Sequence, residues 1–231
     1  MKKTMNRMFA MLFAATLLFG CDAVKNANNK QKGAVIGTGS GAAIGGVIGN
    51  NVGDGNTALG AIIGGVVGGA AGGYIGSRMD KQAKEIEQEV PGAEVERVGE
   101  GINVTFDESS GVYFDTEKYN INSKSQNTLN KLASIFNEYP DSEILVEGHT
   151  DNTGAESYNL TLSKNRAQEV TNYLLGQGLS KGRFETKWYG ENQPKYDNST
   201  ADGRAKNRRV ELAIVASEDL KEEARKNTSN Q

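Results

Sequence analysis

The stretch Gly148-His149-Thr150-Asp151-Asn152-Thr153-Gly154 follows directly on a predicted strand, Glu143–Gly148, rich in isoleucine, leucine and valine. Helices are predicted on both sides of it, over 123–138 and 156–176, because apolar residues recur there at three- and four-residue spacings. The turn-rich stretch therefore lies at the carboxyl end of a strand. In open α/β sheets that edge is where ligands bind.

The two predicted helices are amphipathic. Ser123 and Gln126 fit a capping box at the start of the first helix, and Pro140 stops it. The second helix closes at Gly176 and is predicted to bury Leu160, Ala167, Val170 and Leu174.

Short strands make up the rest of the predicted fold. Ala93–Val98 and Ile102–Phe106 flank a hairpin signal, Gly99-Glu100-Gly101, and Val112–Phe114 forms another strand. Later strands place alternate residues on one face: Phe184, Thr186 and Trp188 within Arg183–Tyr189, then Val210, Leu212 and Ile214. The strand–helix–strand–helix–strand order predicts parallel neighbours with right-handed crossovers. The expected fold class is α/β (an α+β sandwich), with the helices packed on one face of a mixed sheet.

The second helix and the turn before it carry opposite charges. Asn159, Leu162, Arg166 and Tyr173 share a stripe beside the buried one, so they border the core at a groove. Asp151 and Arg166 would form a two-signed clamp. Its natural ligand is a zwitterion, with the carboxylate on the arginine fork and the ammonium on the aspartate. The alternative is an ordinary ion pair.

Several segments of this region resemble the OmpA-like C-terminal domain. They are Gly148–Gly154, Asn159, Leu162–Ala167, Tyr189–Pro194 and Gly203–Glu211. Phe114-Asp115 matches the aromatic–aspartate pair of the family's opening strand, and Ile121 matches its isoleucine before the first long helix. The resemblance spans about 110–216, within a domain expected over 93–216.

The resemblance implies non-covalent binding of peptidoglycan through the diaminopimelate residue of its stem peptide. The family's aspartate and arginine fall on Asp151 and Arg166. Its supporting residues fall on Thr150, Asn159, Arg208 and Arg209. One of the last two is expected to point away from the site, because adjacent strand residues face opposite sides.

The first twenty residues have the pattern of a bacterial export signal. Three basic residues precede the apolar run 8–19, which is too short to span a bilayer as a helix. Leu18–Cys21 resembles the lipobox of bacterial lipoproteins, which implies cleavage after residue 20 and acyl chains, palmitate among them, on Cys21. A buried or free thiol is the alternative. The polar segment 21–32 is predicted to be a tether.

Glycine recurs at every fourth position over 33–77, a region that holds more than half of the 29 glycines and one charged residue, Asp54. Two arms, 33–50 and 58–76, have the length that a spanning helix needs. Small residues at this period let helix backbones approach closely in a bilayer. The pattern resembles the glycine-zipper segments of bacterial envelope proteins and predicts a membrane-embedded helical hairpin. A flexible linker is the alternative.

Two charged segments complete the chain. Residues 78–92 favour a helix that Pro91-Gly92 stops, and they are predicted to be a solvated stalk. Residues 217–231 are predicted to be a charged tail, helical at first and then disordered.

Composition excludes several kinds of site. A net charge of −3 provides no basic field for nucleic acid. One cysteine and one histidine exclude a disulfide within the chain and Cys-rich or His-rich metal sites. No cofactor motif is present, so we expect no metal and no cofactor.

Catalytic arrangements are weighed as alternatives. His149 and Asp151 with Ser157 or Ser163 would make a triad, but no G-x-S-x-G elbow accompanies them. Glu143, Glu147 and Asp151 would make paired carboxylates, but strand-edge surface charges explain them more simply. We expect a binding protein, not an enzyme.

The segments together predict a lipid-anchored protein that links a membrane to the cell wall and supports envelope integrity. We expect the outer membrane, with the domain facing the periplasm; Asp22 after the lipidated cysteine favours the inner membrane as the alternative. The second functional hypothesis is an envelope assembly or stress factor that uses the zipper to contact membrane proteins or further copies of the chain.

Overall fold

A computed structural model describes residues 62, 66–107, 110–112, 114 and 118–229. Its helices are α1 (Gly69–Glu89), α2 (Ser123–Glu138), α3 (Glu156–Gly176), α4 (Ala201–Asn207) and α5 (Glu218–Ser229). Its strands are β1 (Glu94–Val98), β2 (Gly101–Phe106), β3 (Ser142–His149), β4 (Phe184–Gly190) and β5 (Val210–Ala216).

Several predictions lie outside these residues: the signal peptide over 1–20, the acylated Cys21, the tether and the first arm of the zipper. Within the described part of the chain, no helix has both the length and the apolar character needed to cross a membrane.

The five strands form one mixed sheet in the order β1-β2-β5-β3-β4. The predicted hairpin pairs β1 with β2, and Gly99 adopts the positive φ of 54° that its tight turn requires. Only β3 and β4 are parallel, with α3 as their crossover, while β5 is antiparallel to both β2 and β3. The prediction of helices on one face of a mixed sheet is confirmed, but parallel pairing holds for one pair rather than for all neighbours.

The direction of β5 follows from its connection to β4. Residues 191–209, including α4, stay at the carboxyl end of β4 instead of crossing the sheet, so β5 runs back from that end. His149 N–H donates to the Arg209 carbonyl at 3.0 Å, and Thr150 N–H donates to the Gly190 carbonyl at 2.9 Å. The ends of β3 and β4 and the start of β5 therefore meet at one edge of the sheet.

One apolar core joins the helices to the sheet. Alternate residues of the central strands point into it, including Ile144 and Val146 of β3 and Leu212 of β5. Gly148 continues this alternation, and a Cβ there would lie 2.2 Å from the carbonyl oxygen of Ser163. A glycine is therefore required where α3 crosses the end of β3.

Helix α1 differs from the predicted division between hairpin and stalk. It runs without a break through residue 77, and its face with Ile75, Met79, Ala83 and Ile86 is buried in the domain core. Burying each large apolar side chain contributes about 1.5–3 kcal/mol. The prediction of a solvated stalk over 78–92 was wrong, because this apolar stripe packs against the OmpA-like region and α5.

The segment before α1 is also attached to the sheet. Both carboxylate oxygens of Glu100, in the β1–β2 turn, accept hydrogen bonds of 2.7 Å, one from Val67 N–H and one from Gly68 N–H. Ile62 packs on the opposite face of the sheet from the helices, against Leu145 and Ala213. The described end of the second glycine arm thus packs on the domain, so the prediction of a membrane-embedded hairpin over 33–77 was wrong for residues 66–77.

Helix α5 replaces the predicted frayed tail. Leu220 and Ala224, one turn apart, are buried against the core, and the hydroxyl of Ser217 accepts from Leu220 N–H at 3.2 Å. Two apolar residues in a charged segment gave too weak a pattern to predict a packed helix.

Smaller differences concern ends and faces of elements. The N-cap of α2 is Asn122, whose Oδ1 accepts from Ser125 N–H at 2.9 Å, rather than Ser123 with Gln126. Leu160, predicted to be buried, is 41% exposed, and Leu162 takes its place against the domain. Val112 and Phe114 are buried but lie outside any strand.

Candidate binding site

A cleft of about 500 Å³ opens at the sheet edge where β3 ends. We call it the β3–α3 cleft; the turn after β3, the first half of α3 and the α4 segment form its walls. Its lining residues are Thr150, Asp151, Thr153, Gly154, Ala155, Tyr158, Asn159, Leu162, Arg166, Arg204 and Arg208. The main chain of β4 is fixed to α3 beneath it, because Gly190 N–H donates to the buried Ser163 hydroxyl at 2.9 Å.

Asp151 is held in the turn by two hydrogen bonds. Its Oδ1 accepts from Thr153 N–H at 2.8 Å, and its Oδ2 accepts from Arg208 Nη1 at 2.6 Å. Burial raises the pKa of this carboxyl, but the hydrogen bonds from Arg208 and Thr153 outweigh burial and keep the pKa below its ordinary value of 3.8. Asp151 is therefore an anion at neutral pH.

Arg166 projects from α3 and is only 2% exposed. Its guanidinium carbon lies 5.2 Å from the ring centroid of Phe114, and its Nε donates to the Lys118 carbonyl at 3.1 Å. Stacking on an aromatic ring and a main-chain hydrogen bond fix the plane of the fork. Two oppositely charged groups, Asp151 and Arg166, thus line one cleft.

Asn159 ties the turn to α3. Its Nδ2 lies 3.1 Å from the Thr153 carbonyl, 3.3 Å from the Asp151 carbonyl and 2.5 Å from Oε2 of Glu191. This amide therefore positions the turn that carries Asp151. Thr150 is 3% exposed, and its hydroxyl has no hydrogen-bond partner within the described residues.

Family models match two parts of this chain. The model of the OmpA family matches residues 113–208, and that of the YMGG-like Gly-zipper matches residues 1–80. The chain carries an OmpA-family domain. The glycine zipper seen in the sequence is likewise confirmed as a sequence family, although the structure describes only its final residues.

Relatives of the chain are proteins of the bacterial envelope. "Probable lipoprotein YiaD" of Escherichia coli is 35% identical over 59% of this chain and 62% of its own length. "Peptidoglycan-binding protein ArfA" of Mycobacterium tuberculosis is 41% identical over 37% of this chain and 26% of its own length. The chain thus spans less than two thirds of each relative.

A solved structure shares the fold of the OmpA-family domain. The cell wall anchor of the T6SS from Pseudomonas aeruginosa is 29% identical with a TM-score of 0.52. The superposition covers 61% of this chain and 98% of that one.

The two adjacent arginines of the OmpA-family domain lie in different surroundings. Arg208 lines the cleft, whereas the Arg209 side chain is 2% exposed and pairs with the buried Glu211 at 2.6 Å. Its Nη2 donates to the Gln193 carbonyl at 3.1 Å. The structure therefore brings together Thr150, Asp151, Asn159, Arg166 and Arg208 of the predicted site. The placement of Arg209 at the site was wrong, because it faces the other side of the sheet.

Sequence reasoning also missed residues of the cleft and misplaced one. Tyr158 and Arg204 line the cleft. Arg204 stands in the motif Gly203–Glu211, but its side chain could be placed only once α4 was known. Tyr173, predicted to share the groove stripe, instead donates to Asn130 on α2 at 2.9 Å.

The residues weighed as catalytic groups do not line the cleft, apart from Asp151. His149 is fully buried, stacks on Tyr189 with ring centroids 5.5 Å apart, and has its pKa lowered to about 3 by burial and by Arg209. Ser163 donates to the Leu160 carbonyl at 2.9 Å. Glu147 is fully buried and accepts from the Tyr189 hydroxyl at 3.2 Å.

Proposed function

We propose that this protein binds peptidoglycan non-covalently and that the β3–α3 cleft holds the free end of diaminopimelate in a stem peptide. The observation that carries the proposal is that a buried carboxylate, Asp151, and a buried guanidinium, Arg166, line one cleft. The free end of diaminopimelate carries an ammonium and a carboxylate on one carbon, so it matches two opposite charges.

Each charged group has a defined role in this proposal. The fork of Arg166 binds the ligand carboxylate through parallel N–H···O bonds. Asp151 accepts from the ligand ammonium; each carboxylate oxygen has two lone pairs, so its bonds to Thr153 and Arg208 leave acceptor capacity. Asn159 fixes the position of Asp151, because its amide holds the turn that carries Asp151 against α3.

Two comparisons support the proposal. A relative of 41% identity is named for peptidoglycan binding, and the structural neighbour is described as a cell wall anchor. In our proposal the domain does not catalyse a reaction but binds the cell wall. Many stem peptides lie near a tethered domain, and this high effective concentration compensates for modest affinity at each site.

Membrane attachment is the second part of the proposed function. Acyl chains on Cys21 and the first arm of the zipper, 33–50, would hold the chain at the outer membrane, with the OmpA-family domain in the periplasm. The lipobox-like stretch Leu18–Cys21 and the relative named as a lipoprotein support this arrangement. Stable attachment generally requires two signals, and the acylated cysteine and this arm of the zipper would supply them. Cys21→Ser should abolish acyl labelling and leave the signal uncleaved; normal labelling would refute the anchor.

Co-sedimentation with purified sacculi tests wall binding by the full chain in mild detergent. We expect Asp151→Ala and Arg166→Ala to weaken binding roughly ten- to a hundredfold, because each removes a charge-assisted hydrogen bond. Asp219→Ala and Arg225→Ala on the exposed side of α5 are matched controls. A stem peptide with lysine in place of diaminopimelate should compete poorly, because it lacks the carboxylate beside the amine. Wild-type sedimentation by a folded Asp151→Ala or Arg166→Ala protein would overturn the assignment.

A further inference from the structure

The β3–α3 cleft has more cationic groups than a zwitterion needs. Among the described residues that line it, Arg166, Arg204 and Arg208 are positive and only Asp151 is negative. Nearby Glu191 does not contact these arginines; it binds the amide of Asn159. Arg208 is paired with Asp151 at 2.6 Å, so after Asp151 and Arg166 are assigned to the free end of diaminopimelate, Arg204 is the arginine of the described cleft wall without an assigned role.

Arg204 is held in place with unused donors. Its Nη1 donates to the carbonyls of Asn198 at 2.8 Å and Ser199 at 3.1 Å, which fixes the guanidinium against the loop before α4. Its Nε and Nη2 make no hydrogen bond to any described residue. An arginine restrained on one side, with donors left over at a cleft wall, is suited to bind an anion.

Arg208 is the neighbour of Arg204 at this wall. It follows Arg204 by four residues, and its N–H donates to the Arg204 carbonyl at 3.1 Å, so the two side chains are neighbours. The 2.6 Å ion pair with Asp151 balances the charge of Arg208, so Arg204 supplies the positive charge at this wall that a further anion would meet. The buried Thr150 hydroxyl lines the same cleft and lacks a partner within the described residues, which is a second sign of an unfilled polar contact.

We infer that Arg204 is the centre of a second anion subsite, which binds a further carboxylate of the same stem peptide. The inference rests on the proposed function, because the first subsite sets the position of the peptide. A stem peptide offers two such groups close to diaminopimelate: the α-carboxylate of D-glutamate and the terminal carboxylate of D-alanine. The protein therefore discriminates against stems in which that carboxylate is amidated.

Calorimetric titration of the full chain in mild detergent tests the subsite. The ligands are the tetrapeptide L-Ala-γ-D-Glu-diaminopimelate-D-Ala with all carboxylates free, the same peptide amidated at D-glutamate, and the peptide amidated at D-alanine. We expect one of the two amides to bind roughly ten- to a hundredfold more weakly than the free peptide. The amide that loses affinity identifies the carboxylate.

Single-residue variants test whether the subsite causes the weaker binding of the amidated peptide. Arg204→Gln should bind the free peptide as weakly as wild type binds the amidated peptide that loses affinity. For that amidated peptide, the variant and wild type should have equal affinity. Arg225→Gln on α5 is the matched control and should keep the discrimination. The wild-type ligand series tests the inference even if Arg204→Gln fails to fold.

The outcomes separate the two proposals. If wild type binds all three peptides equally, or if Arg204→Gln keeps the discrimination, the second subsite is refuted and the diaminopimelate site stands. If wild type binds none of the peptides, the proposed function fails and the subsite fails with it.

Discussion

The carboxylate of Glu100 accepts a 2.7 Å hydrogen bond from the backbone N–H of Gly68, the N-cap residue of α1. Glu100 is 4% exposed, so this contact lies away from solvent. Its negative charge lies at the positive end of the α1 macrodipole, which strengthens the attraction. The glycine-rich segment is thereby attached to the β1–β2 turn rather than joined to the domain by a free stalk.

Glu100→Gln should loosen this attachment. The substituted amide places a donor where one of the two accepting carboxylate oxygens now lies, and a lost charge-assisted hydrogen bond costs about 1.5–3 kcal/mol. We expect amide hydrogen exchange at Val67 and Gly68 to become roughly ten- to a hundredfold faster, measured by mass spectrometry on the full chain.

Glu96→Gln provides the control, because Glu96 is an exposed glutamate on the adjacent strand β1. It should leave exchange at Val67 and Gly68 unchanged, and α2 amides should be unaffected in both variants. Unchanged exchange in Glu100→Gln would show that the carboxylate does not hold the segment.

Arg209 is predicted to matter for folding and not for binding. Arg209→Met removes one charge of the buried Arg209–Glu211 ion pair, which typically costs about 3–5 kcal/mol. The double variant Arg209→Met/Glu211→Leu should recover most of that loss, because apolar residues can replace a buried ion pair. Urea unfolding measures both effects.

Sacculus binding by the folded double variant should equal that of wild type, because the Arg209 side chain does not line the β3–α3 cleft. A stable double variant that no longer sediments with sacculi would return Arg209 to the binding site.

Local patterns were enough to predict α2 and α3, of which α3 forms a wall of the cleft. The predicted ranges 123–138 and 156–176 coincide with α2 and α3, because both have an amphipathic stripe and a definite terminator. The position of Asp151 after β3 and of Arg166 two turns beyond Asn159 then placed these side chains along one groove. The pattern that predicts this groove lies within about thirty consecutive residues.

Contacts between distant segments could not be predicted in the same way. The stripe of Ile75, Met79 and Ile86 is compatible with solvent, membrane or core, and its partner α5 lies more than 130 residues away. Adjacent arginines face opposite sides of a strand, but which one faces the cleft depends on where β5 begins. Helix α4, with seven residues, has too little periodicity to place Arg204.

The pKa of Asp151 predicts a pH-dependent contribution to stability. Its pKa is below the ordinary 3.8 in the folded protein, where burial is outweighed by hydrogen bonds from Arg208 and Thr153. A carboxyl whose pKa falls on folding stabilises the protein above its unfolded pKa, and that contribution disappears as the pH falls through the folded pKa. The difference in the free energy of unfolding between wild type and Asp151→Asn should therefore be constant near pH 6 and should become smaller below about pH 4.

Urea unfolding at a series of pH values measures this difference in unfolding free energy. Asp219→Asn, on the exposed side of α5, is the control. Arg208→Gln should raise the pKa of Asp151, because burial then acts without the strongest opposing hydrogen bond. Carboxyl carbon NMR would follow that titration. A difference that becomes larger on acidification would contradict the assigned ion pair.

Arg166→Lys should not restore binding, although it keeps the positive charge. The guanidinium plane is fixed by Phe114 and by the Lys118 carbonyl, and a guanidinium presents its N–H groups as a rigid fork. A lysine ammonium is a point charge and cannot present two parallel donors to a carboxylate. We expect affinity for the tetrapeptide stem to fall roughly ten- to a hundredfold in calorimetry. Arg225→Lys on exposed α5 should bind as wild type. If Arg166→Lys binds as tightly as wild type with unchanged circular dichroism, charge alone is sufficient and the bidentate geometry assigned to Arg166 is incorrect.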